Sequence, residues 1–126
     1  MKIFISHSHK DKWLASCIAA ILKELGCETF LDEKDQMPGD AIDHSIRKGL
    51  SESDHFLVLL SPASIQSDWV LIELGGALAL KKKVIPVLIY VQIKKLPQII
   101  SLKNAIDIND LPKYFDYVKK VNHIHQ

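Results

Sequence analysis

The chain has 126 residues, and its 16 Lys and Arg nearly balance 15 Asp and Glu, leaving a formal net charge of +1. That length suits one domain spanning 1–126, able to bury roughly two-thirds of its unfolded surface. Hydrophobic residues at 48% and charged residues at 25% exclude a disordered tail or a collagen-like repeat. The balanced charge and the single arginine, Arg47, argue against a nucleic-acid binder. No apolar run reaches the roughly 18 residues of a membrane span. Cys17 and Cys27 lack CxxC spacing and read as free thiols in a reducing compartment. The start turns polar after Ile5, too early for a signal peptide, so the expectation is a soluble, cytoplasmic domain.

In chain order, Lys2 to Ile5 predicts a buried strand, broken by Ser6-His7-Ser8-His9. Asp11 to Leu25 carries apolar residues at Leu14, Cys17, Ile18, Ile21, Leu22 and Leu25, a helical period stopped by Gly26. Glu28 to Leu31 is a second strand, and Asp32 to Asp40 a polar loop punctuated by Pro38-Gly39. Asp40 suits the cap of a helix to about Leu50, with Ala41, Ile42, Ile46 and Leu50 inward. His55 to Leu60 is a continuous apolar strand of the kind buried on both faces. Ser67 or Asp68 caps a helix to about Leu80, with Lys81 to Lys83 against its carboxyl end. Val84 to Val91 predicts the fourth strand, and Ile93 to Ser101 is irregular. Ala105 to Ile108 is a weak fifth strand, and Asp110 to Val121 closes the chain as a helix.

Strands alternating with helices predict a flavodoxin-like, three-layer α/β fold with a five-stranded parallel sheet in the order 2-1-3-4-5. Ligands of such sheets bind beyond the carboxyl ends of the strands where the winding reverses, between strands one and three. Ser6 and His7, the Asp32–Asp40 loop and the segment from Ser61 to Glu73 line that crevice. GxGxxG, GxxxxGK[ST] and GxSxG are all absent, as is a carboxylate ending strand three. These absences exclude a standard dinucleotide site, a P-loop, a hydrolase elbow and a receiver-type phosphoacceptor. Trp69 and Glu73, spaced i,i+4, share a helix face, with Leu71, Leu74 and Leu78 assigned to the opposite, core-facing stripe. Spacing alone leaves two readings open: a shielded acid at a ligand crevice, or a dipole-favoured Glu beside a core Trp.

Three segments in register with these elements resemble the TIR (Toll/interleukin-1 receptor) domain. Phe4-Ile5-Ser6-His7 resembles its first box. Phe30-Leu31-Asp32 followed by Met37-Pro38-Gly39-Asp40-Ala41-Ile42 resembles the second box and its BB loop. Ser61-Pro62 with Ser67-Asp68-Trp69 and Glu73 resembles the S-x-W-x-x-x-E segment of TIR domains that cleave NAD. The resemblance covers nearly the whole chain and points to the stand-alone prokaryotic kind. Val70 departs from it where many TIR domains carry Cys.

The resemblance implies an NAD+ glycohydrolase or ADP-ribosyl cyclase that breaks the nicotinamide–ribose bond and signals in antiphage immunity or cell death. Glu73 is then the catalytic carboxylate, and Ser6, His7, Asp32, Ser61 and Trp69 line the substrate site. Asp35, Met37, Pro38, Gly39 and Asp40 form the BB loop of assembly. NAD+ enters as substrate, with no cofactor and no metal. The implied partners are copies of the chain or other TIR domains, not nucleic acid or membrane. One carboxylate suffices in principle: nicotinamide departs from a cationic pyridinium as a neutral molecule, so the second acid of ordinary glycosidases is not needed. Two other classes stay open, a non-catalytic TIR adaptor and a nucleoside-processing enzyme such as a deoxyribosyltransferase.

Overall fold

The computed structural model describes residues 1–31, 44–96 and 103–124, with the side chains of 44–47, 69, 123 and 124 excepted. Within these, β1 (Lys2–Ser6), α1 (Lys12–Glu24), β2 (Glu28–Leu31) and α2 (His44–Glu52) are followed by β3 (His55–Leu60) and α3 (Asp68–Ala79). The chain continues through β4 (Lys83–Leu88), β5 (Ile106–Asp107) and α4 (Leu111–Ile124). The sheet runs β2-β1-β3-β4-β5 with every pairing parallel, the order that the alternation predicts. Ser6 stands beside Val58, and Leu60 beside Leu88, so β1, β3 and β4 present their carboxyl ends on one side.

Strand alternation distributes the core over two faces. Ile3 and Ile5 of β1, Leu57 and Leu59 of β3, and Ile85 and Val87 of β4 meet Ala15, Ile18, Ala19 and Leu22 of α1 and Leu111, Tyr114 and Val118 of α4. Phe4, Phe56, Val58 and Leu60 project the other way onto Leu50 of α2 and Val70, Leu74 and Ala77 of α3. The Phe4 and Phe56 rings stack with centroids 5.5 Å apart. All six residues of β3 are buried, as an apolar run covered on both faces requires.

Several details differ from the sequence expectation. In α3 the buried stripe is Val70, Glu73, Leu74 and Ala77, whereas Leu78 is 43% and Ile72 47% exposed. Leu71 is half-buried, so the Leu71–Leu74–Leu78 stripe is corrected. The helix is apolar nearly all round, so periodicity alone does not choose its inner face. In α1, Ile21 is exposed and Ala15 and Ala19 pack on the sheet instead. β4 takes in Lys83 and stops at Leu88, because Tyr90 turns left-handed at φ 52° and leaves the sheet. The inward positions predicted at Ala41, Ile42 and Ile46 lie outside the described residues or side chains. Both cysteines are free; Cys27 is buried, which pushes its thiol pKa up, and Cys17 is half-buried.

α1 and α3 end in the same hydrogen-bonded turn. Gly26 N–H reaches Lys23 C=O and Cys27 N–H reaches Leu22 C=O, while Lys81 N–H reaches Leu78 C=O and Lys82 N–H reaches Ala77 C=O. This turn places the residue after the cap in the left-handed region. Gly26 takes φ 89° without a side-chain clash, whereas Lys81 takes φ 56° with a Cβ.

Candidate functional site

Burying a polar side chain costs free energy unless it is hydrogen-bonded, so a cluster of them needs a reason. Ser6, His7, Ser8, Ser61, Ser64 and Glu73 are all buried, and all sit at or just beyond the carboxyl ends of β1 and β3 or on the helix that follows. Strand parity explains Ser6. It points to the same face as Phe4, toward α3, but one step beyond the aromatic core. Helical spacing explains Glu73, since 70, 73, 74 and 77 form one i, i+3, i+4, i+7 stripe. The two meet: Ser6 Oγ donates to Glu73 Oε1 at 2.7 Å, with both residues 0% exposed.

A second set of bonds ties the neighbouring loops. Asp11 Oδ2 accepts from Ser8 Oγ at 3.0 Å and from Ser61 Oγ at 2.5 Å. Ser61 and Ser64 close a reciprocal pair, Ser61 N–H to Ser64 Oγ at 2.7 Å and Ser64 N–H to Ser61 Oγ at 3.1 Å. Ser67 then caps α3 by accepting from Val70 N–H. Each link of the path from the end of β3 to Glu73 therefore has a hydrogen-bonded anchor.

Of the residues singled out from sequence, Ser6, His7, Ser61 and Glu73 come together at the carboxyl ends of β1 and β3. Trp69 is the second residue of α3, one turn before Glu73. Asp32, Asp35, Met37, Pro38, Gly39 and Asp40 lie outside the described residues. Sequence reading did not single out Ser8 or Ser64 within the segments it assigned to the crevice, and it read Asp11 as a helix start. The i,i+3 spacing of Ser8 and Asp11 was the available signal for that pair. Nothing local signals the contact with Ser61, 50 residues away. Tyr90, 80% exposed and left-handed just past β4, also adorns the carboxyl edge.

The amino-terminal side of the sheet carries a different cluster. His55 Nδ1 and the Tyr114 hydroxyl share a hydrogen bond of 2.9 Å, the His55 ring stacks on Tyr117, and Lys83 Nζ lies 5.2 Å from the Tyr117 ring centre. Burial, then the Lys83 ammonium, hold His55 below its ordinary pKa, against the opposing pull of Asp54. Burial also raises the Tyr114 phenol. A cavity of about 240 Å³ beside this cluster is lined by Ile85, Ile106, Tyr114 and Tyr117 and edged by Lys83 and Lys113. Among the described residues its lining includes no carboxylate. Among the described residues no group of three or more His, Cys, Asp or Glu is placed to hold a metal ion, and no helix is long and apolar enough to cross a membrane.

The parallel sheet β2-β1-β3-β4-β5, with an acid held by a serine beside the carboxyl ends of β1 and β3, defines a doubly wound α/β domain, a class whose ligands bind at that switch point. Comparison with known proteins narrows this. The family model of the TIR domain matches residues 3–121, and the chain belongs to that family. The 2′ cyclic ADP-D-ribose synthase of Bacteroides thetaiotaomicron is 34% identical over 77 residues, which are 60% of this chain and 27% of that protein. An NAD(+) hydrolase of Paracoccus denitrificans is 36% identical over 80 residues, 63% of this chain and 27% of that protein. This chain thus matches little more than a quarter of the length of either relative. The TIR domain of a Toll-related receptor from Hydra magnipapillata superposes with a TM-score of 0.66 at 21% identity, covering 98% of this chain and 94% of that one, a likeness of fold.

Proposed function

We propose that this domain cleaves NAD+ at the nicotinamide–ribose bond, with Glu73 as the catalytic carboxylate. The observation that carries the reading is the buried 2.7 Å bond from Ser6 to Glu73 at the switch point of the sheet. The names of two relatives, a cyclic ADP-ribose synthase and an NAD hydrolase, support the substrate class. As the glycosidic bond lengthens, nicotinamide leaves with the bonding pair and becomes neutral, while positive charge grows on the ribose. A carboxylate held against that ribose stabilises the charge without having to deliver a proton. Ser6 restricts the rotamers of Glu73 and so fixes the aim of the carboxylate. Water or a second nucleophile, including an oxygen of the same ADP-ribose, then completes the reaction as hydrolysis or cyclisation. His7, Ser61, Trp69 and Asp32 border the substrate in this reading.

Glu73 is 0% exposed in the single chain. Turnover therefore requires an opening of the crevice, and self-association through the segment containing Asp35, Met37, Pro38, Gly39 and Asp40 supplies it. The product acts as a cytoplasmic signal in immunity or cell death. The test is incubation of concentrated protein with NAD+ and chromatography of the products. The reading expects nicotinamide together with linear or cyclic ADP-ribose. Inertness under every assembly condition would instead support an adaptor that acts through TIR–TIR contact alone.

A further inference from the structure

We infer that Asp11 is a positioning residue of this site: a clasp whose one carboxylate oxygen joins the loop that follows Ser6 to the turn that leads from β3 into the helix bearing Glu73. The inference rests on the proposed reading of the reaction.

Asp11 ends the 3-10 turn His9–Asp11 and immediately precedes α1. An acid there ordinarily caps the helix or complements its dipole. Asp11 does not cap: its side chain makes no capping hydrogen bond, and its backbone sits at φ −101°, ψ 13°, outside the extended region of a capping residue. Its Oδ2 is instead committed to Ser8 at 3.0 Å and Ser61 at 2.5 Å. The second distance falls in the range of strong hydroxyl–carboxylate bonds.

The two partners belong to the segments that leave the adjacent strands β1 and β3. Ser8 follows Ser6 and His7 in the loop leaving β1, and Ser61 is the first residue after β3. Ser61 is locked to Ser64, and that turn leads through the 3-10 turn Ser64–Gln66 to the Ser67 cap of α3. The Ser6–Glu73 bond thus spans two segments that are themselves tied through Asp11. Releasing the clasp lets the β3–α3 turn move relative to the end of β1, and misplacement of a reacting group by about 1 Å costs on the order of 100-fold in rate.

The experiment compares wild type, Asp11→Ala, Asp11→Asn, Ser61→Ala and the double variant Asp11→Ala/Ser61→Ala. Nicotinamide release from NAD+ is measured well below each unfolding temperature, and amide hydrogen exchange is followed over Ser61–Gln66. The clasp predicts that Asp11→Ala lowers kcat about 10- to 100-fold with little change in KM, and that Ser61→Ala lowers kcat by a similar factor. It also predicts that the double variant is no worse than the poorer single one, and that exchange over Ser61–Gln66 quickens in each variant that lacks the Asp11 carboxylate or the Ser61 hydroxyl. Asp11→Asn, which keeps an acceptor oxygen, recovers part of the rate. Multiplicative losses in the double variant, or unchanged kcat in folded Asp11→Ala, overturn the proposal. If Asp11→Ala does not fold, Asp11→Asn and Ser61→Ala carry the same comparison. If wild type turns over no NAD+, the reading of the reaction falls, and unchanged exchange over Ser61–Gln66 would then overturn the clasp as well.

Discussion

Replacing Ser6 by alanine removes one oxygen and with it the 2.7 Å bond to Glu73 Oε1, in a place where both residues are 0% exposed. A methyl group leaves almost the same shape, so packing changes little and the loss is that of a buried hydrogen bond to an acidic side chain. Such bonds contribute about 1.5–3 kcal/mol. At about 2 kcal/mol, and with an unfolding entropy of about 2.1 cal/mol/K for each of the 126 residues, the unfolding temperature falls by about 8 °C. The same bond restricts the carboxylate, and at about 1.4 kcal/mol per decade its loss lowers nicotinamide release about 10- to 100-fold. Circular dichroism melts and a nicotinamide assay run well below the transition measure the two effects separately. A shift under about 1 °C together with unchanged turnover would show that Ser6 does not hold Glu73, and would refute the reasoning.

The helix ends give a paired prediction. Gly26→Ala places a Cβ at φ 89° and costs about 1 kcal/mol, whereas Lys81→Gly relieves φ 56° and gains up to about 1 kcal/mol, both read by urea unfolding. Opposite signs are required, and like signs would contradict the shared turn. The pKa of His55 is lowered in the folded chain, so the unfolded chain takes up its proton first as pH falls below 6.5. The stability linked to His55 is full well above that pH and declines as pH falls below it, and His55→Gln flattens the decline. Parallel stability profiles for wild type and variant would remove His55 as the cause. Because Glu73 is sealed in the single chain, NAD+ turnover is expected to rise faster than linearly with protein concentration. A flat specific activity over a wide range would contradict activation by assembly.

The order of the sheet was legible because each strand run is short, apolar and bounded by turn residues, and right-handed crossovers leave few arrangements. Topology placed Ser6 at the carboxyl end of β1, but the spacing of Trp69 and Glu73 left two readings of Glu73 open, and only the resemblance to TIR domains singled it out. The inner face of α3 was not legible, since Val70, Leu71, Ile72, Leu74 and Leu78 surround the helix and only packing against Phe4, Phe56 and Val58 selects the stripe that includes Glu73. The end of β4 was hidden too, because Ile89, Tyr90 and Val91 continue its apolar run while the backbone turns at Tyr90. Asp11 read as a helix start. Its bond to Ser61 crosses between strands that pair only in three dimensions, and no local spacing encodes it.

The central claim, that the Glu73 carboxylate performs the cleavage, is tested most directly by Glu73→Gln, which keeps the size of the side chain and an oxygen able to accept from Ser6. Nicotinamide release and NAD+ binding are measured on the same preparation at the concentration where wild type is active. The account predicts that the variant binds NAD+ with affinity close to that of wild type and releases nicotinamide at least about 100-fold more slowly, the scale of losing a charged stabilising group in a water-excluded site. Turnover by Glu73→Gln at the wild-type rate would contradict it.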